Sequence, residues 1–183
     1  MTFDNIFKKV DEIDGWFSHA QMEMLYDYVK EAKGYFLEIG TYRGRSTMFF
    51  RLVNKDIDIV TVDCMNYKWG KPDPNGVKLE NKPIDQRVYA LGNIIQIIGG
   101  SSYVSKFLNL KFGIIFIDGD HTYEGAVKDI LAWKDSLVSG GLMIFHDYDR
   151  VGVYKAVHEL LETGDYNLID RECSMAILRA SNR

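Results

Sequence analysis

The sequence predicts an α/β protein: a Rossmann-like, doubly wound, mostly parallel seven-stranded sheet closed by an antiparallel C-terminal hairpin. Three observations carry that expectation. Short apolar runs at 35–39, 57–63, 94–98, 112–117 and 142–145 alternate with segments of helical period, the pattern of strands joined by crossover helices. The run from Phe112 to Ile117 is almost wholly apolar, as a strand covered on both faces must be. Three strand ends carry an acid (Asp63, Asp118 and Asp147), and Glu38 stands near the end of the opening run. In sheets of this kind ligands sit beyond the carboxyl ends of the strands.

The elements follow in order. Phe3, Ile6, Phe7, Val10 and Ile13 recur at helical spacing and predict a first helix ended by Gly15. Ser18 is the cap expected for a second, carrying Met22, Leu25, Tyr26 and Val29 to about Lys33. Gly34 leads into the strand at 35–39, Gly40 breaks it, and Gly44 opens a helix over 45–54. After the strand at 57–63 the texture changes. Residues 64–85 hold Pro72, Pro74 and Pro83, Gly70 and Gly76, and the aromatics Tyr67 and Trp69. A stretch of this length without periodicity predicts a lid or acceptor-binding insert.

Beyond it, the pattern predicts a helix at 84–91, a strand at 94–98, a Gly-Gly turn and a helix at 103–110. A strand at 112–117, a helix at 123–137 and a strand at 142–145 after Gly140 and Gly141 come next. A helix at 153–162 precedes a hairpin of 166–170 with 174–179. The expected organisation is one domain over 1–183, with N-terminal helices in 1–33.

Composition narrows the function classes. With 46% apolar and 26% charged residues in 183, the chain suits one globular domain with a substantial core. A net charge of -4 gives no general pull toward nucleic acid or an anionic membrane, although Arg43, Arg45 and Arg51 form a local basic group. No apolar run approaches the ~20 residues that span a bilayer, and the start lacks a signal-peptide pattern. Cys64 and Cys173 have no paired spacing, so the expectation is free thiols in a reducing, cytoplasmic setting and no zinc site from these two.

The glycine turn narrows the ligand. A dinucleotide cradle reads G-x-G-x-x-G, because pyrophosphate must approach both backbone and helix N-terminus. Here the spacing is Glu38-x-Gly40-x-x-x-Gly44, with no middle glycine. A carboxylate there would repel pyrophosphate and suit a cationic amine, while Asp63 at the next strand end suits ribose hydroxyls. Together they describe a nucleoside carrying an amino acid, without phosphates. Taken alone, Gly40 and Gly44 also make an ordinary strand-to-helix turn.

With E-I-G-T-Y-R-G-R-S-T, I-D-G-D-H-T-Y-E-G and G-G-L-M-I-F-H-D-Y in this order, the chain resembles the class I S-adenosylmethionine-dependent methyltransferases. Within them it resembles the small-molecule O-methyltransferase branch called methyltransferase 24. The resemblance runs from about Gly15 to Asp149 and leaves out the insert. It implies S-adenosylmethionine as cofactor, with Glu38 and Gly40 facing its methionine part, Gly44 and Ser46 completing the turn, and Asp63 on the ribose. Ser101 would lie near the adenine, and Asp118 is counted with this set as well as with a metal.

The second constellation is Asp118, Asp120 and His121 set against His146 and Asp147. Adjacent strands lie ~4.8 Å apart, so acids at their tips can converge on one cation. Oxygen ligands favour magnesium, calcium or manganese, and a histidine tilts the set toward manganese, iron or zinc. The resemblance implies a divalent cation, magnesium or manganese, on Asp118 and Asp147, which also holds the acceptor hydroxyl. His146 stands where relatives often have another acid and is counted as a third ligand. Asp120 and His121 are the two candidate bases. Singly, Asp118 and Asp120 could be helix caps and His146 a core histidine.

Tyr67, Trp69 and Tyr148 are candidate walls for an acceptor such as a sugar or phenolic metabolite. Arg43 and Arg45 either steer an acidic acceptor or are solvated. The short chain leaves little room for a substrate domain, which suits a homo-oligomer or a partner subunit completing the pocket. Two other readings stay open: a same-fold non-haem iron hydroxylase, and a non-enzymatic S-adenosylmethionine-binding subunit. A nicotinamide dehydrogenase ranks last on the glycine spacing.

Overall fold

The structure, a computed structural model, describes residues 1–64 and 83–181. The expected insert therefore lies largely outside the described residues, as do Tyr67 and Trp69. In chain order the elements are α1 (Phe3–Asp11), α2 (His19–Glu31), β1 (Tyr35–Ile39), α3 (Arg45–Val53), β2 (Asp58–Asp63), α4 (Gln86–Tyr89) and β3 (Ile94–Ile98). There follow α5 (Ser101–Val104), β4 (Phe112–Ile117), α6 (Tyr123–Trp133), β5 (Leu137–Phe145), α7 (Val151–Glu162), β6 (Tyr166–Glu172) and β7 (Met175–Ala180). No helix among the described residues is long and apolar enough to cross a membrane.

The seven strands form one sheet of order β3-β2-β1-β4-β5-β7-β6. The first five pair in parallel, and β7 runs antiparallel to both neighbours. Alternation along the strands divides the core into two layers, because successive side chains point to opposite faces. Phe36, Ile59, Ile114, Phe116, Ile144 and Ile177 pack with α1, α2 and α3. Leu37, Val60, Ile115, Met143 and Leu178 pack with α5, α6 and α7. Both faces are thus covered, which is why the central runs are apolar throughout.

Several boundaries differ from expectation: the helix expected over 123–137 ends at Trp133, and that expected at 84–91 covers only Gln86–Tyr89. The predicted helix at 103–110 is instead the short α5, beginning at Ser101. The strand expected at 142 starts at Leu137 and runs through the glycine pair. Gly140 takes φ +70, and the pairing with β4 shifts register between Phe112 and Ile114. A Cβ on Gly141 would stand 2.9 Å from the Val138 carbonyl oxygen and 3.0 Å from that of Gly113. The glycines mark a bulge inside the strand, not its beginning.

Candidate active site

The cradle is built where β1 and β2 end side by side. Register places Glu38 opposite Thr61 and Ile39 opposite Val62, so Asp63 extends past the turn that follows β1. Asp63 Oδ2 accepts the backbone N–H groups of Thr41 at 2.9 Å and Tyr42 at 2.8 Å. That pair of bonds shapes the turn, and Tyr42 is held at φ +46. Gly40 is required twice over. Its φ is +92, and a Cβ there would lie 2.0 Å from the carbonyl oxygen of Asp118. The glycine lets the tips of β1 and β4 meet, a reason unrelated to phosphate. Gly44, at φ +83, caps α3 and faces the side chains of Ile84 and Val88.

Glu38 does not face the cavity. It is fully buried, accepting the hydroxyls of Ser46 and Thr47 at 2.5 Å each and that of Thr61 at 2.7 Å. Burial raises its pKa to about 7, although all three hydroxyls favour the ionised form. The acid expected against a methionine amine thus sits one layer behind the wall, tying the start of α3 to β1 and β2. Ser46 bridges the two, since it also lines the cavity.

Asp63, Gly40, Ser46, Ser101, Asp118, Asp120, His121, His146 and Asp147 all line one cavity of about 620 Å³. Ser101 accepts the indole N–H of Trp133 at 2.8 Å and stands near Asp129, a buried carboxyl that burial pushes up to about 6. At the other end the tips of β4 and β5 meet. The backbone N–H of His146 donates to the Ile117 carbonyl at 3.0 Å, which sets Asp147 beside Asp118. Asp147 takes φ +53, a left-handed conformation that short polar residues tolerate best.

Ligand atoms of Asp118, His121 and Asp147 lie within 4.8 Å of one another, a spacing that suits a divalent cation. His121 Nε2 stands 3.2 Å from Asp147 Oδ2, and Arg150 Nε 3.7 Å from Asp147 Oδ1. His146 Nδ1 lies 3.2 Å from an oxygen of each of Asp118 and Asp147, but neither contact has the alignment of a hydrogen bond. Burial works against a charge on this ring and the two carboxylates work for it; the carboxylates prevail and raise its pKa. His146 in turn holds Asp147 below the usual carboxylate range, with His121 and Arg150 adding to it. The compact ligand group thus includes His121, expected as a base, and leaves out His146, expected as a ligand.

Asp120 is partly committed to its own loop. Its Oδ1 accepts Thr122 N–H at 2.9 Å, and a Cβ on Gly125 would lie 2.5 Å from its carboxyl carbon. Tyr148, expected in an acceptor wall, is a core residue whose hydroxyl meets His158 Nε2 at 3.1 Å. Trp16 takes that kind of place instead, lining the cavity, well exposed, with its ring 5.2 Å from that of Tyr42. Arg45 lines the cavity but has its guanidinium committed to the protein. It donates to the carbonyls of Phe17 and Ile13 at 2.9 and 2.8 Å and to the Asp11 carboxylate at 2.7 Å. Arg43 turns to Pro83 and Asp85. Sequence reasoning does not single out Gln21, Trp16 or Asp129; only Gln21 carries a sequence signal, as the third helical residue in a capping box begun by Ser18.

A sheet of this order with its penultimate antiparallel strand, a glycine cradle after β1 and an acid after β2, is the class I S-adenosylmethionine-dependent methyltransferase fold. A methyltransferase-domain family, methyltransferase 24, matches residues 37–148, and the chain belongs to it. Solved structures agree in fold. The O-methyltransferase NovP superposes with TM-score 0.70 at 15% identity, covering 92% of this chain and 84% of that one. Podospora anserina methyltransferase PaMTH1, solved with SAH bound, gives 0.67 at 16% identity over 98% and 88%. The MycE methyltransferase of the mycinamycin pathway, solved with Mg, SAH and mycinamycin VI, gives 0.62 at 15% over 98% of this chain and 54% of that one.

Proposed function

We propose that this methyltransferase carries out metal-assisted O-methylation of a small hydroxylated acceptor, a sugar or a phenolic metabolite, with S-adenosylmethionine as donor. One observation carries the reading: a single cavity joins the Gly40–Asp63 cradle to the Asp118, His121 and Asp147 cluster. A donor in the cradle and an acceptor at the cluster would be neighbours in one enclosure. NovP is an O-methyltransferase, and the MycE complex contains both Mg and SAH, which supports the pairing by analogy.

In this reading Asp63 holds the ribose and the backbone of the 40–42 turn holds the amino-acid end. Glu38 stiffens that turn from behind. Asp118, His121 and Asp147 would hold the cation, which would supply a charge that lowers the pKa of a coordinated hydroxyl. The sulfonium methyl is already activated, so the protein's main task is alignment for in-line displacement. Asp120, with one oxygen fixed by Thr122, receives the acceptor proton. The 3.2 Å contact between His121 and Asp147 favours a second reading, in which His121 is the base and Asp147 orients it.

Calorimetry on cofactor-stripped protein tests the first step. S-adenosylhomocysteine binds the wild type and Asp147→Ala alike, while Asp63→Ala weakens binding by at least tenfold, about 1.4 kcal/mol. No binding to the wild type ends the reading. Asp120→Asn and His121→Asn, compared with and without Mn2+, then identify the base.

A further inference from the structure

The cavity has an end that the reaction centre does not use. Along the strand tips the order is Ser101 beyond β3, Asp63 beyond β2, the Gly40 turn beyond β1 and Asp118 beyond β4, all on the cavity wall. With a ribose on Asp63 and an amino acid on the turn, the nucleoside's base has one direction left, toward Ser101. There the wall holds a carboxyl group. Asp129, from the middle of α6, is 7% exposed and lines the cavity.

An acid is costly to bury beside a ligand unless donors meet it. The Trp133 indole N–H can only donate, and it gives its hydrogen to Ser101 Oγ at 2.8 Å. The Ser101 hydroxyl hydrogen is thereby free to point elsewhere, and it goes to Asp129. Trp133 is fully buried, so this chain of two bonds is anchored in the core and its direction is fixed. A carboxylate has about four acceptor sites, and among the described residues Ser101 is the one side chain that donates to this one. A Cβ on Gly119 would lie 2.9 Å from Asp129 Oδ2, so a glycine leaves that oxygen room. Asp129 thus faces the base end as an acceptor with capacity to spare.

On the reading that the cradle holds S-adenosylmethionine, we infer that Asp129 determines donor specificity: it accepts the exocyclic amine of the base and selects an amino-purine over its oxo counterpart. An amine hydrogen given to a carboxylate makes a charge-assisted bond. A carbonyl oxygen in the same place would face the acid with no hydrogen between them, leaving two acceptors unpaired. The oxo base carries its hydrogen on the neighbouring ring nitrogen, so it would have to shift across the pocket to reach the acid, out of step with the ribose on Asp63. Trp133 and Ser101 are positioning residues, which aim the carboxylate from the core.

Calorimetry at pH 8, above the value of about 6 to which burial lifts Asp129, compares S-adenosylhomocysteine with its deaminated analogue, S-inosylhomocysteine. Wild type is expected to prefer the first by about tenfold or more. Asp129→Asn can turn its own NH2 group toward the oxo base, so the preference should vanish or reverse. A third ligand, with hydrogen in place of the amine, reads the same bond without mutation if that variant does not fold. Wild type should then rank amino above unsubstituted above oxo. Equal binding of the amino and oxo ligands, a different rank, or an unchanged preference in Asp129→Asn would each overturn the inference and leave the methyltransferase reading standing. No binding of S-adenosylhomocysteine to wild type would end both.

Discussion

At the scale of residues, Glu38 shows how a site acid can be spent on architecture. Its carboxylate meets three hydroxyls from two elements, yet burial still raises its pKa to about 7 from 4.5. The folded state therefore binds this proton more tightly than the unfolded chain does. The stabilisation is complete below about pH 4.5 and lost as pH rises through about 7, on the order of 3 kcal/mol across the interval. Glu38→Gln should remove that slope, and it should cost about 1–3 kcal/mol at low pH where one hydroxyl loses its acceptor. Urea unfolding of both proteins over that range decides it; parallel curves would mean that Glu38 does not titrate there. The reason the sequence alone does not reveal the burial of Glu38 is geometric. Period-two alternation gives its face of the sheet, but only the pairing with Thr61 shows that this face is roofed by α3.

At the scale of elements, the link between α1 and α2 is held by a side chain from α3. Arg45 spends its guanidinium on the carbonyls of Ile13 and Phe17 and on Asp11, closing the loop that presents Trp16 to the cavity. Arg45→Ala should lower stability by about 2 kcal/mol, and it should raise hydrogen exchange first at residues 11–17, leaving β4 and β5 protected. Uniform exchange throughout the chain would show that the strut is not local. Such a contact joins residues 28 to 34 positions apart, so no local pattern announces it. The strand tips were the legible part: apolar runs ending in Asp63, Asp118 and Asp147 follow directly from the rule that ligands sit beyond carboxyl ends. The start of β5 was not legible, because Gly140 and Gly141 read equally as a break or as a bulge.

At the scale of the whole molecule, the sheet is completed from its far side. β7 inserts between β5 and β6, and it gives Ile177 to one core layer and Ala176 and Leu178 to the other. Removing everything after Asp165 would expose Met143 and Ile144 along a long parallel edge. A chain so shortened should lose cooperative thermal unfolding and near-ultraviolet dichroism; a retained sharp transition would show that five parallel strands suffice. This part of the fold is legible as two short runs flanking a turn rather than from alternation, since Met175 to Leu178 are all buried.

The amide of Gln21 has a meaning in time as well as in space. It touches the Cys173 carbonyl and the Ser174 hydroxyl at the bend between the last two strands, and it meets the His146 ring directly. During synthesis the cradle residues emerge long before this bend exists, and domains generally close as units once their final segments arrive. Closing the His146 side of the cavity therefore brings together residues from opposite ends of the domain, Gln21 with Cys173 and Ser174.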